Sequence, residues 1–406
     1  MSALSTVSQR AGSESDGLLR RSRFRLVRRS LMLFVLLASI VVAGICVRPH
    51  LLAWYHRRAA RLEDERYHNT QAIHHLLICR AIWPRDPETL LLASRAARRA
   101  QVYGDSELLL RIYREIRGRD EAYTFEHLLL TTECRVDEVS ETCWKCIEQD
   151  RFDAPLLMEA LTRGYLRQYR LGQARLCLNR WKELQPANPQ PYYLEGLFQL
   201  DYLHDSPDAV NSYRRAVELD ADHEEARLGL AVALLDCRNF AEAAEHFELL
   251  LQSQPENARV QVGVAECCNG SGDTAEAVRI VDDVLARYPN LPSALSLRGQ
   301  LALKNGQWEE AHIALRQALR GNPLDHRARY SLVLCLERSD REEEARRERQ
   351  QMQQMEQDVA RFHEIVTKEI AERPTDPALH CTLGQLLLQS GQGEEGVRWL
   401  QSALHL

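Results

Sequence analysis

The chain has 406 residues, 45% hydrophobic and 27% charged. Its 52 basic and 58 acidic residues leave a net charge of −6, which excludes the basic excess usual in nucleic-acid binders. With 19 Gly and 14 Pro it is neither collagen-like nor low-complexity, and its apolar content is too high for global disorder. Abundant Ala, Leu, Arg and Glu, with few β-branched runs, predict an all-α protein.

Residues 1–29 read as a disordered basic segment: Ser and Gly come first, then Arg20, Arg21, Arg23, Arg25, Arg28 and Arg29. The run Ser30–Val47 follows without a charge. As a helix rising 1.5 Å per residue it covers ~27 Å, close to the ~30 Å of a bilayer core. A cleaved leader would need a small-x-small site, which Ala43-Gly44-Ile45 does not give, and a lipoprotein would need a small residue where Ile45 precedes Cys46. The run is therefore read as an uncleaved transmembrane helix. Arginines from Arg10 onward outnumber those just after the run (Arg48, Arg57, Arg58, Arg61, Arg66), which puts the N-terminus in the cytoplasm and the body on the other side. The cysteines argue the opposite way, since an oxidising compartment threatens unpaired thiols.

Residues 48–86 are read as juxtamembrane helices with a possible degenerate repeat. Beyond them the chain repeats itself every 34 residues. In 292–325, Gly299, Ala311, Ala318 and Pro323 fall at the eighth, twentieth, twenty-seventh and thirty-second places. Block 258–291 matches with Ala265, Ala277, Val284 and Pro289, and block 224–257 with Ala231, Ala243, Leu250 and Pro255. Residues 87–223 hold the register more weakly, and 377–406 restore it through Gly384, Gly391, Gly396 and Ala403. This pattern resembles the tetratricopeptide repeat family. The resemblance implies helix-turn-helix units stacked into a right-handed solenoid. Small residues let paired helices approach, and each proline ends a second helix because it lacks the N–H and its ring clashes with the preceding turn.

Block 326–376 is too long by half a unit. The surplus predicts one helix of about 33 residues at 1.5 Å rise each, with an apolar seam of Met352, Met355, Val359, Phe362 and Val366. The 340–372 helix either packs back on its own solenoid or self-associates as a short coiled coil.

In proteins of this family the second, fifth, ninth, twelfth and thirteenth residues of a unit face a concave groove. Carried over, the candidate peptide-binding residues are Arg95, Arg98, Arg99, Phe125, Leu129, Arg163, Arg167, Tyr193, Leu197, Leu228, Val262 and Tyr330. Such a groove would be basic near the membrane and apolar further out, suiting a peptide with an acidic end. The alternative is that its arginines are a solvated face. The Lys and Asn pair by which some family members hold a C-terminal carboxylate is missing from every unit.

No phosphate loop, dinucleotide fingerprint, HExxH or GxSxG motif is present. Cys143-Trp144-Lys145-Cys146, with Cys134 nearby, lacks a second CxxC and falls on a second helix where core residues belong. A metal or redox protein built on these cysteines is the outlying alternative. The leading expectation is a membrane-anchored scaffold, not an enzyme, with no cofactor, metal or nucleic acid, holding a protein or peptide partner. An envelope assembly or export helper binding transiting polypeptides is the second reading.

Overall fold

The structure is a computed structural model that describes residues 47–149, 153–203, 205–373 and 376–405. Except for Val47, the apolar run Ser30–Val47 lies outside the described residues, as does the basic segment before it. Among the described residues no helix is long and apolar enough to cross a membrane. All regular structure among them is helical.

The chain divides into two compact units. The first comprises residues up to Glu65 and Asn69–Tyr123, and its described part is four helices: 47–65, Asn69–Ile82, Pro87–Arg99 and Tyr103–Arg117. Helix 47–65 packs inward through Ala53 and Ala60, both fully buried. The Cys79 thiol donates to the Ala53 carbonyl at 3.3 Å, so the two helices touch nearly backbone to backbone. Asp86 starts the third helix by accepting from the Thr89 amide at 2.9 Å, which satisfies one of the N–H groups a helix end leaves unpaired.

The second unit holds Arg66–His68 and everything from Thr124 on. Its hairpins follow one another to the C-terminus. In the central ones the first helices start at Glu224, Ala258, Pro292 and His326, and the second at Phe240, Thr274, Trp308 and Glu342, each step being the 34-residue period. Side chains set these starts: Asn257, Asp273 and Asp325 accept from amides two or three residues on, at 3.0, 3.1 and 2.8 Å. Pro255, Pro289 and Pro323 each stand two residues past the end of a second helix. Ala243, Ala277 and Ala311 are fully buried at the helix crossings.

Between the two helices of a hairpin the backbone passes through one left-handed residue. It is Gly at 272, 306 and 391, where φ of +97°, +77° and +85° costs no Cβ clash. At the same register place stand Tyr67, Gln101, Tyr169, Arg238 and Asp340, with φ between 54° and 63°. The turn geometry thus recurs in most of the described hairpins, whether or not glycine supplies it; the turn at Arg135, φ −145°, is extended instead.

The long helix is α-helical over Glu342–Glu364, opens into a π-helical turn at Ile365–Glu369 and ends with Ile370–Glu372. Its seam divides. Val359 is 46% exposed, whereas Val366 is buried and Phe362 half-buried in one apolar core with Leu161, Leu166 and Leu178. The C-terminal hairpin, Pro377–Gln389 and Gly393–His405, shares that core through Leu383 and Trp399. Tyr169 sits at the junction, its ring 5.5 Å from Phe362, 5.4 Å from Trp399 and 5.4 Å from Tyr202. The C-terminal half of the seam is therefore used inside the chain, and the second unit closes on one of its own earlier hairpins.

Candidate ligand-facing surface

The first helices of the second unit present Tyr193, Leu197 and Leu228, half-buried against a common core with Tyr213 and Phe247. Tyr193 lies 5.1 Å from the ring of His223 and 6.1 Å from that of Tyr213. Burial, reinforced by the Glu225 carboxylate, pushes its phenol up to about 12. His223 is fully buried; its Nδ1 accepts from the Ala226 amide at 3.2 Å and its Nε2 contacts Gln190 Oε1 at 3.1 Å. Burial drives its pKa down to about 4, so it is a neutral helix cap.

Further along, charges converge on the same face. Arg327 reaches back to Asp236 at 2.7 Å and Glu266 at 3.4 Å, three and two repeats earlier. Burial holds the Glu266 carboxyl above its usual range despite Arg327, with Asp236 and Asp325 adding to the rise. Glu225, Asp236, Arg259, Glu266 and Arg327 occupy second, ninth and thirteenth places of their units. The register that selected Leu228 and Val262 selects them too, but a search for aromatic and apolar contacts passes over them.

Several expected groove residues are elsewhere. Arg98, Arg99, Leu129 and Val262 are buried and cannot line an open face. Arg95, Arg98 and Arg99 belong to the first unit, where Asp64 binds Arg99 at 2.7 Å and Arg95 at 2.9 Å. Arg163 contacts Glu159 of its own helix at 3.4 Å. A basic groove for an acidic peptide end thus loses its footing, because these cations answer carboxylates of the chain itself. Phe125 packs against the core that contains Leu157 and Leu161. Tyr330 is 53% exposed and keeps its outlook. Arg167 lines a cavity of about 450 Å³ beside Tyr169, His380 and Trp399. A second cavity of about 570 Å³ adjoins the same three rings.

The cysteines are thiols among the described residues. Cys143 is fully buried, 3.3 Å from the Thr132 hydroxyl, and burial pushes its thiol up. Among the described residues no group of three His, Cys, Asp or Glu is placed to hold a metal ion.

Family models of the tetratricopeptide repeat match residues 238–301, and others of the same description match 200–258 and 296–351. Residues 200–351 carry tetratricopeptide repeats. A repeat-containing protein of Methanocaldococcus jannaschii, MJ1428, is 25% identical over 174 residues, 40% of this chain and 30% of that protein. The interferon-induced protein with tetratricopeptide repeats 3 of Mus musculus is 24% identical over 220 residues, 53% of this chain and 45% of that one. The chain therefore spans less than half of either curated relative. Among solved structures, the type IV pilus biogenesis factor PilW superposes with a TM-score of 0.42 at 18% identity, covering 50% of this chain and 94% of PilW. Human IFIT1, as a dimer with m7Gppp-AAAA, gives 0.43 at 14% identity, covering 79% and 90%.

Proposed function

We propose that this protein is a membrane-anchored scaffold whose central repeats hold a protein or peptide partner on the face bearing Tyr193, Leu228, Arg259, Arg327 and Tyr330. The observation that carries the reading is the convergence of first-helix side chains, with Arg327 drawn onto Asp236 and Glu266 across intervening repeats. Stacked helix pairs create such extended faces as a consequence of their small rotation per repeat. Half-buried aromatic and apolar groups on this face bury area against a partner. With Arg95, Arg99 and Arg163 paired to carboxylates of the chain, an apolar segment fits this face better than an acidic one.

Ser30–Val47 is the anchor in this reading, supported by its length, its lack of charge and the arginines before it. The arginine asymmetry favours a cytoplasmic N-terminus and repeats on the far side; protease protection in intact cells tests that. A tether also raises the effective concentration of the repeats for partners at the same membrane.

Photo-crosslinking in cells tests the scaffold. A photoreactive side chain at Arg259, Arg327 or Tyr330 should give discrete adducts, while the same group at Leu249 or Ile313, exposed on second helices, should not. Equal labelling at both sets of positions, or none at the inner set, would defeat the proposal. A broad smear of adducts at the inner positions alone would favour the helper for transiting chains.

A further inference from the structure

Helix 47–65 is built inside out. The side chains it turns to its neighbours are small or charged: Ala53, Ala60 and Asp64 are buried. The ones it turns outward are large and apolar: Leu51 is 62% exposed, Trp54 50% and Tyr55 60%, with Val47, Leu52 and Leu62 also exposed. At ~100° per residue these positions share an arc of roughly 160° along the whole helix. Leu77, on the adjacent helix Asn69–Ile82, is exposed as well. A helix whose only neighbours were water and its own unit would carry the opposite pattern, and apolar surface of this extent marks a face that something covers.

We infer that this face lies in the headgroup region of a lipid bilayer. The inference rests on the anchor reading of Ser30–Val47. The apolar run ends at Val47, the first described residue of the exposed stripe, so the anchor delivers the helix to the membrane surface. Trp and Tyr favour that depth because their rings are apolar and their tips polar. Arg48 and Arg58 share the exposed face, with the Arg58 guanidinium 5.9 Å from the Trp54 ring centre. The Arg58 stem lies beside the Trp54 ring, and guanidinium heads at both positions suit lipid phosphates. Arg57 and Arg61, outside the stripe, are bound instead to Asp86 and Glu88. The single acid on the stripe is Glu65, at its far end. Pro49, two residues past the apolar run, disfavours straight helical continuation from that run, as a helix lying flat after a span requires. Leu62 continues the stripe ~23 Å beyond Val47 at 1.5 Å per residue, a contact that only a helix along the surface makes over its full length.

The test uses the full chain reconstituted into phosphatidylcholine–phosphatidylglycerol vesicles whose lipids carry bromine near the headgroup. Bromine quenches tryptophan fluorescence on contact, and the chain has six tryptophans. Wild type should be quenched, and Trp54→Phe should lose at least half of the quenchable emission. Leu51→Glu with Tyr55→Glu, at positions too exposed to disturb folding, should open Trp54 to iodide from the water. Equal quenching in wild type and Trp54→Phe would overturn the inference. So would a Trp54 shielded from iodide but untouched by bromolipid, the result of burial against a second copy or another part of the chain. Alkaline carbonate extraction of the same vesicles separates the two ideas. Release of the chain overturns the anchor and this surface together, whereas a retained chain with unquenched Trp54 overturns the surface alone.

Discussion

Gly229→Ala is the sharpest test of how the repeats interlock. The ring of Tyr213, only 3% exposed, sits between Gly196 of its own hairpin and Gly229 of the next. A Cβ on Gly229 would lie 2.5 Å from two ring carbons, about 1 Å inside the ~3.5 Å at which carbon contacts are favourable. The ring has little room to shift, because a Cβ at Gly196 would also stand 2.7 Å from its Cγ and Cδ1. Overpacking costs ~1–3 kcal/mol, and replacing a helical Gly by Ala returns ~1 kcal/mol. With a rigid aromatic as the obstacle, the upper end of the range applies, and the net loss is about 2 kcal/mol. In a Tyr213→Leu background the obstacle is gone and the same substitution should stabilise by up to ~1 kcal/mol. Repeat arrays open locally, so the readout is amide exchange within Ser206–Leu219 and Glu224–Asp236 rather than one global transition. A Gly229→Ala chain as protected as wild type, or a double-mutant cycle without coupling, would show that this contact does not hold the two repeats together.

Three further outcomes are expected. Ala277→Leu, at a fully buried helix crossing, should cost ~1–3 kcal/mol, seen as faster exchange in Ala258–Ser271 and Thr274–Arg287. Asp64→Ala removes the carboxylate beside buried Arg99 and should destabilise the first unit by ~3–5 kcal/mol, measured by exchange in Pro87–Arg99; Asp64→Ala with Arg99→Met should regain most of it. His223 should make the second unit less stable in acid. Its folded pKa of about 4 lies below the unfolded ~6.5, so the unfolded chain binds the extra proton first. Its contribution is complete above pH 6.5 and is lost as pH falls towards 4, by about 3 kcal/mol in all. Asp220 opposes the shift, while His68 and Arg163 reinforce it. A denaturation series from pH 4.5 to 7 that is equally steep in His223→Asn would rule this group out.

The repeat was legible because its causes are local. A small residue at the crossing and a proline after the second helix each act through their own few neighbours. They recur in Ala243, Ala277 and Ala311 and in the prolines that follow. The turn was only partly legible. Gly272, Gly306 and Gly391 advertise a positive φ, but Tyr67, Gln101, Tyr169, Arg238 and Asp340 adopt it with no compositional sign. There the packing of the two flanking helices imposes the geometry, against a cost that glycine avoids.

The surface was less legible for a different reason. Position within a unit tells which way a side chain starts out, not what it meets. Arg95 and Arg99 stand at groove places in the register, yet Asp64, over thirty residues earlier, takes both. The seam of the long helix allowed either packing back or a partner, and only the structure shows that Phe362 and Val366 join the core of hairpins more than 150 residues back. Both are non-local pairings that a period of 34 cannot encode. The same limit makes the exceptions informative. Where a regular helix places bulky apolar groups outward and alanines inward, as 47–65 does, neither the local repeat rule nor the chain's own packing accounts for the choice. The surroundings must, and if Ser30–Val47 is the anchor proposed above, the surroundings nearest to this helix would be lipid.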